Sequence, residues 1–361
     1  MRPFEQLTPR GQARRLRRLA ESALPDYGLA GARLSLINHE FNTTFRVDVR
    51  AAVPDDRRYI AGRYLLRIHQ RDHHDPRLDR QQVIESELAW LAALQAGTEL
   101  AVPSPLRTTT GAAVLRAELP GVGQRFCSVL RWLGGRIEFG RATPHHLYLT
   151  GALMAQLHNH AASWHIPSDF ARVRWDWHAF FGDVAPYAGL GVQQAWQALP
   201  PTYRPNFEQV VEPLRRAMEA LGDGPETFGL IHADLHLDNV LFAQSEARPI
   251  DFDDCGFGHW VYDMAVTLWL YRMKEDWPAY RDAFFAGYAR HRRVPDDQVR
   301  YLDLFIAVRE TAIALWVAAT AHANPGLVVD LETELARNQQ AVERLMRSAG
   351  YHANGASGLA R

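Results

Sequence analysis

Apolar positions along this chain repeat in two different periods, and the change from one to the other divides it. Residues 8–24 carry helical spacing, and a turn at Pro25-Asp26-Tyr27-Gly28 follows. Residues 34–37 and 44–49 then read as two strands joined by a polar segment over 38–43. Residues 64–69 read as a third, with Leu65, Arg67 and His69 alternating against Tyr64, Leu66 and Ile68. The spacing predicts a helix over 80–95 that stops near Gly97, then strands over 113–117 and 125–132 that run into Gly134-Gly135. Beyond that break helical spacing dominates, over 147–162, 208–221, 261–272, 280–290, 298–321 and 330–349. One strand-like island, residues 229–251, interrupts the helices.

The pattern implies an α+β, bilobal fold. A helical extension over 1–27 precedes a small, mostly-β lobe over 28–133 and a larger helical lobe over 134–350, with a flexible tail over 351–361. A cleft between two lobes is a natural ligand site. The length of 361 residues suits two lobes, and 47% hydrophobic with 22% charged residues is the balance of an ordinary soluble protein. The formal net charge of −1 leaves no basic excess for nucleic acid. Arg10, Arg14, Arg15, Arg17 and Arg18 crowd the first helix, where a solvated face accounts for them. Cys127 and Cys255 are too few for a disulfide framework or a zinc site. The N-terminus lacks the apolar core of a signal peptide, and the longest apolar stretch, near 311–321, is shorter than the roughly 20 residues that span a bilayer. A cytoplasmic protein with no membrane partner is expected.

The island carries the chemistry. Its sequence LIHADLHLDNVLF places His232 two residues before Asp234, and Asn239 five residues after it; Asp251 then follows a strand, a turn and a second strand. This is the H-x-D-x-x-x-x-N loop of kinases, with a metal-binding aspartate in the place of their D-F-G. Phosphoryl transfer calls mainly for positioning and charge neutralisation, and this set supplies both. Asp234 would hold an acceptor hydroxyl and take its proton. Asn239 and Asp251 would give oxygen ligands to Mg²⁺, which prefers hard donors. A rival reading, metal-assisted hydrolysis, would use His232, Asp234, His236 and His259 as ligands.

The stretch HADLHLDNVLF…IDFDDCGFG…YDMA resembles the aminoglycoside phosphotransferase superfamily, which includes choline kinases, type II homoserine kinases and bacterial stress-response Ser/Thr kinases. The resemblance runs from about residue 34 to residue 270, and LMAQLH at 153–158 looks like the family's A-x-L-H helix. It implies a protein-kinase-like fold with a nucleotide-binding N-lobe and a catalytic, acceptor-binding C-lobe. By the family's pattern His232 braces the loop, and Asp263 is a cap or loop anchor. Asp253 and Asp254 would reach the metal or the acceptor, or else stand as surface acids, and Cys255, with no basic neighbour in sequence, reads as inert.

On the nucleotide side, Arg67 stands where the resembled family usually has lysine; it keeps the charge but offers a planar fork. Its predicted partner is Glu87, which falls within the apolar arc of Val83, Ile84, Leu88, Leu91 and Leu94, where an unpaired carboxylate would be costly. The first hairpin lacks G-x-G-x-x-G, so Asn42, Thr43 and Thr44 are candidate phosphate donors, although Asn-Thr-Thr is also ordinary turn chemistry. By analogy the backbone of Arg131, Trp132 and Leu133 would meet adenine. Trp175, Trp177, Trp269, Tyr271 and Trp277 crowd the helical lobe, mostly as core. The resulting expectation is an enzyme moving the γ-phosphoryl group of ATP, with Mg²⁺, to a small-molecule hydroxyl. A protein Ser/Thr kinase and a nucleotide-binding pseudokinase scaffold are the alternatives.

Overall fold

A computed structural model describes residues 2–39, 42–50, 56–70, 77–138, 140–182, 190–293, 296–323, 328 and 330–351. The N-terminal part is built on an antiparallel sheet of β1 (Arg33–His39), β2 (Thr43–Asp48), β3 (Tyr59–Ile68), β4 (Pro105–Leu106), β5 (Leu115–Leu119) and β6 (Gly123–Leu133). The order is β1-β2-β3-β6-β4, with β5 also on β6. Helix α1 (Pro9–Ala23) starts where Thr8 accepts a bond from Gly11 N and Pro9 presets the first turn. It buries Leu16, Leu19, Ala20 and Ala23 against Leu34, Phe45, Val47, Leu66 and Ile68 of the sheet. Arg15 and Arg17, two of the arginines expected to be solvated, donate to the carbonyls of Gly121 and Leu34 and so clamp the helix down.

Helix α2 (Arg80–Gly97), capped by Asp79, belongs instead to the large core that continues into the C-terminal part. There α3 (Pro144–Ser163), α4 (Trp177–Phe181), α5 (Val192–Ala198), α6 (Arg204–Glu208) and α7 (Val211–Leu221) precede the catalytic island. After it come α8 (Trp260–Leu268), α9 (Trp277–Tyr288), α10 (Asp296–Val299), α11 (Leu302–Ala323) and α12 (Leu331–Ser348). Two small three-stranded sheets hold the island itself. One orders β11 (Glu246–Pro249), β10 (Val240–Ala243) and β7 (Arg136–Ile137); the other orders β8 (Arg174–Trp175), β12 (Gly256–His259) and β9 (Phe228–Ile231).

The break after β6 is a close crossing. Gly135 has φ +145, and a Cβ there would lie 2.8 Å from Leu241 Cβ, so only glycine fits. Arg248 Nη1 donates to Gly134 O at 2.8 Å and ties the β10–β11 hairpin to the crossing. One expectation needs correcting. The segment Asp296–Ala323 is long and apolar enough to cross a membrane by length and composition, where the sequence pattern marks only 311–321 as the longest apolar stretch. Its most apolar window is 72% buried inside the protein, which accounts for the composition as core. Of the tail read over 351–361, residues 352–361 lie outside the described residues.

Candidate active site

Beyond β9 the chain makes a turn that its residues do not favour. Ala233 takes φ +64, a left-handed conformation that costs a non-glycine residue about 1–3 kcal/mol. Asp263, buried in the first turn of α8, holds it there: Oδ2 accepts from His232 N at 3.1 Å and Oδ1 from Ala233 N at 2.8 Å. His158 Nε2 donates to the same carboxylate at 3.0 Å, and its Nδ1 lies 2.8 Å from Tyr288 Oη. Burial pushes the His158 pKa down, which favours this neutral form. Asp263 is thus the loop anchor, and the LMAQLH helix is its brace. His232 donates from Nε2 to Ile250 O at 3.1 Å and lies against the Phe252 ring, joining the two halves of the island.

Asp234 follows the turn and faces the cleft. Asn239 Nδ2 donates to its Oδ2 and to its backbone carbonyl, both at 2.9 Å, and His236 Nε2 lies 3.4 Å from Oδ2. Arg309 of α11 donates to Oδ1 from Nη2. Burial opposes ionisation of Asp234, but Arg309 and then His236 outweigh it and hold its pKa down at about 2. Asp251 adopts φ +61 at the start of the turn Phe252–Asp254, with its side chain 53% exposed toward the cleft.

Arg67 closes the other wall. Its Nη1 donates to Glu87 Oε1 at 2.8 Å and Oε2 at 3.1 Å, and reaches Asp253 Oδ1 at 3.5 Å; Nη2 donates to Asp251 Oδ1 at 3.1 Å. Arg67 and Glu87 are 3% and 0% exposed, so the pair is a buried one. Burial opposes the charge on Arg67, and the carboxylates of Glu87, Asp253 and Asp251 nonetheless raise its pKa. Burial raises the pKa of Glu87, against the pull of Arg67.

Asn42 crosses the cleft, donating from Nδ2 to Asp253 Oδ2 at 2.7 Å and accepting from Gln70 N at 3.1 Å. The Thr43 hydroxyl is engaged by His39 Nδ1 at 2.7 Å. Asn42, Thr43, Thr44, Arg67, Arg131, Trp132, Leu133, Asp234, Asn239 and Asp251 all line a single cleft of 2420 Å³, while Glu87 lies behind Arg67. Trp175 and Trp269 also line it; Trp177, Tyr271 and Trp277 do not. The histidines of the hydrolytic reading diverge, since His259 Nε2 bonds Gly222 O at 3.0 Å, away from His232 and His236. Among the described residues no group of three or more His, Cys, Asp or Glu side chains is arranged to hold a metal by itself. Cys255 is buried and its pKa is pushed up to about 12, which keeps it an inert thiol.

Two arginines of this region were not among the residues singled out from sequence. Arg172 donates from Nε to Cys255 O at 2.5 Å, from Nη1 to Val83 O at 3.1 Å and from Nη2 to Asp253 O, locking the Asp251–Asp254 turn to α2. Arg309 is the other; its signal in the sequence is a charged pair, Arg309-Glu310, set in the otherwise apolar run of α11.

A model of the phosphotransferase enzyme family matches residues 42–297. An uncharacterised protein of Deinococcus radiodurans is 29% identical over 302 residues, 80% of this chain and 77% of the relative. The structure of a microcompartment-associated aminopropanol kinase superposes with a TM-score of 0.76 at 28% identity, covering 93% of this chain and 99% of that one. An amicoumacin kinase solved with AMP-PNP and Ca²⁺ follows the same fold, with a TM-score of 0.69 at 20% identity over 91% of this chain and 93% of that one.

Proposed function

This chain belongs to the phosphotransferase enzyme family, and within it we propose a kinase that uses Mg²⁺ and ATP to phosphorylate the hydroxyl of a small molecule. The observation that carries the reading is the convergence of Asp234, Asn239 and Asp251 on a single cleft, where Asp251 also bonds Arg67 of the Arg67–Glu87 pair. Arg67 takes the part of the usual lysine, steadied by Glu87 and offering its remaining donors toward phosphate. The relatives reported above are small-molecule kinases or are uncharacterised, and nothing in the cleft favours a protein substrate over them.

The residues fit a divalent cation. Glu87, Asp251 and Asp253 converge on Arg67, and the Asp251 carboxylate keeps an exposed side toward the cleft. Asn239 has committed its amide nitrogen to Asp234, which leaves Oδ1 as its donor oxygen. Asp251 and Asn239 would hold Mg²⁺, and when bound the ion offsets charge on the nucleotide phosphates.

In the reaction, the acceptor oxygen forms a bond to the γ-phosphorus while the bond from that phosphorus to the β–γ bridging oxygen breaks, and ADP leaves. The hydroxyl proton passes to the carboxylate of Asp234, which is ionised and faces the cleft. The acceptor would lie between Asp234 and the face of α11 formed by Arg309, Ala312, Ile313 and Trp316, roofed by Trp175 and Trp269.

The test is γ-labelled ATP with Mg²⁺ against panels of amino alcohols, sugars and Ser/Thr peptides, for wild type and Asp234→Asn. Label is expected on a small alcohol, and the variant should lose about 10²–10⁴-fold in turnover while binding AMP-PNP as before. Label on peptides only, or near-normal turnover by the variant, would defeat the reading.

A further inference from the structure

Helix α11 lies outside residues 42–297, the part of the chain that matches the family, yet it delivers a guanidinium to the aspartate of the catalytic loop. Arg309 is held for that purpose from several sides. Its guanidinium lies over the Trp269 ring, 5.4 Å from the centroid, and beside Tyr262. Its Nη2 is spent on Asp234, and its buried Nε meets no hydrogen-bond partner among the described residues.

The contact has two consequences for Asp234. Each carboxylate oxygen accepts at about two positions. Arg309 takes one on Oδ1 and Asn239 one on Oδ2, which fixes the plane of the group and leaves Oδ1 a second position toward the cleft. The second consequence is electrostatic. Asp251, Asp253 and Asp254 line the same cleft, and the group to be transferred is itself anionic. An unshielded Asp234 would repel that group where it must pass; with Arg309 in place the charge of the carboxylate is offset.

We propose that Arg309 is a positioning residue for transfer, fixing the carboxylate of Asp234 and offsetting its charge in the path of the phosphoryl group. The inference rests on Asp234 as the residue that takes the acceptor's proton. A residue that acts through Asp234 has nothing to contribute once Asp234 is gone, whereas a mere tie between α11 and the loop costs the same in either background.

The experiment is single-turnover transfer from γ-labelled ATP to the acceptor found with wild type, using Arg309→Met, Arg309→Lys, Asp234→Asn and the double variant Asp234→Asn/Arg309→Met. Active fractions are set by titration with AMP-PNP and Mg²⁺. Arg309→Met should lower turnover about 10²-fold with KM for ATP within about threefold, and Arg309→Lys should recover about tenfold of the loss. Adding Arg309→Met to Asp234→Asn should cost nothing further. Wild-type turnover in Arg309→Met, or a full second loss in the double variant, overturns the inference while leaving the phosphotransferase reading intact. Wild type that labels no acceptor overturns that reading first, and Arg309's role with it. Should Arg309→Met fail to fold, Arg309→Gln keeps length and a donor without charge and carries the same comparison with Arg309→Lys.

Discussion

The two walls of the cleft each pair arginine with acid, but in opposite proportion. On the wall proposed to meet the nucleotide, the Arg67 guanidinium bonds Glu87, Asp251 and Asp253. On the wall proposed to meet the acceptor, the Asp234 carboxylate takes bonds from Arg309 and Asn239 with His236 close by. The pKa directions follow: burial raises Glu87, whereas Arg309 and then His236 bring Asp234 down to about 2. The first wall gathers acids around a cation, and the second gathers donors around an acid.

The sharpest way to break the comparison is at Arg67. Removing it takes from the buried Glu87 the guanidinium that bonds it, so Arg67→Met should cost about 3–5 kcal/mol of stability, the range for breaking a buried pair from one side. Glu87→Gln should cost less, because Arg67 keeps Asp251 and Asp253. The double variant should fall short of the sum by about 1 kcal/mol or more. Denaturant unfolding of all three proteins measures this. Additive losses would mean the wall is not the coupled, acid-heavy cluster described here.

A smaller effect separates the walls by their need for metal. Asp251→Ala removes an oxygen donor from the acid-heavy wall and should weaken Mg²⁺-dependent AMP-PNP binding about tenfold or more. Asp234→Asn should leave the same titration unchanged. Calorimetry with and without Mg²⁺ decides it; an equal metal dependence in wild type and Asp251→Ala would unseat Asp251 as a ligand.

What could be read from the sequence follows the distance between partners along the chain. The H-x-D-x-x-x-x-N stretch is contiguous, and Arg67 and Glu87 are 20 residues apart on a strand and the next helix, so period alone aims them at each other. Arg309 reaches Asp234 across 75 residues and Arg172 reaches Asp253 across 81, pairings set by how helices pack and not by any local period. The fold divides likewise. The strand predicted over 64–69 begins at Tyr59 instead, since Gly62 at φ +65 lets the ladder shift register where alternation breaks. The two-residue strands β7 and β8 carry no period at all. The helix predicted over 208–221 is two pieces, Arg204–Glu208 and Val211–Leu221.

The smallest predicted effect lies one residue from Arg309 and tests whether the balance of the acceptor wall ends there. Glu310 is 6% exposed, on the turn of α11 that carries Arg309. Burial raises its pKa from 4.5 to about 7, only partly offset by Arg337, Trp269 and Arg309, with Glu334 adding to the rise. A carboxyl raised on folding gives stability that is fully present below its unfolded value near 4.5 and is lost as pH climbs through about 7. Glu310→Gln cannot ionise and should escape that loss. Its Tm should therefore match wild type near pH 5 and exceed it by a few degrees at pH 8, with the difference opening between those values. A Tm difference that stays flat across this range would mean that Glu310 is already neutralised by Arg337 and Arg309, and that the charge balance of the acceptor wall extends one residue further along α11 than Asp234.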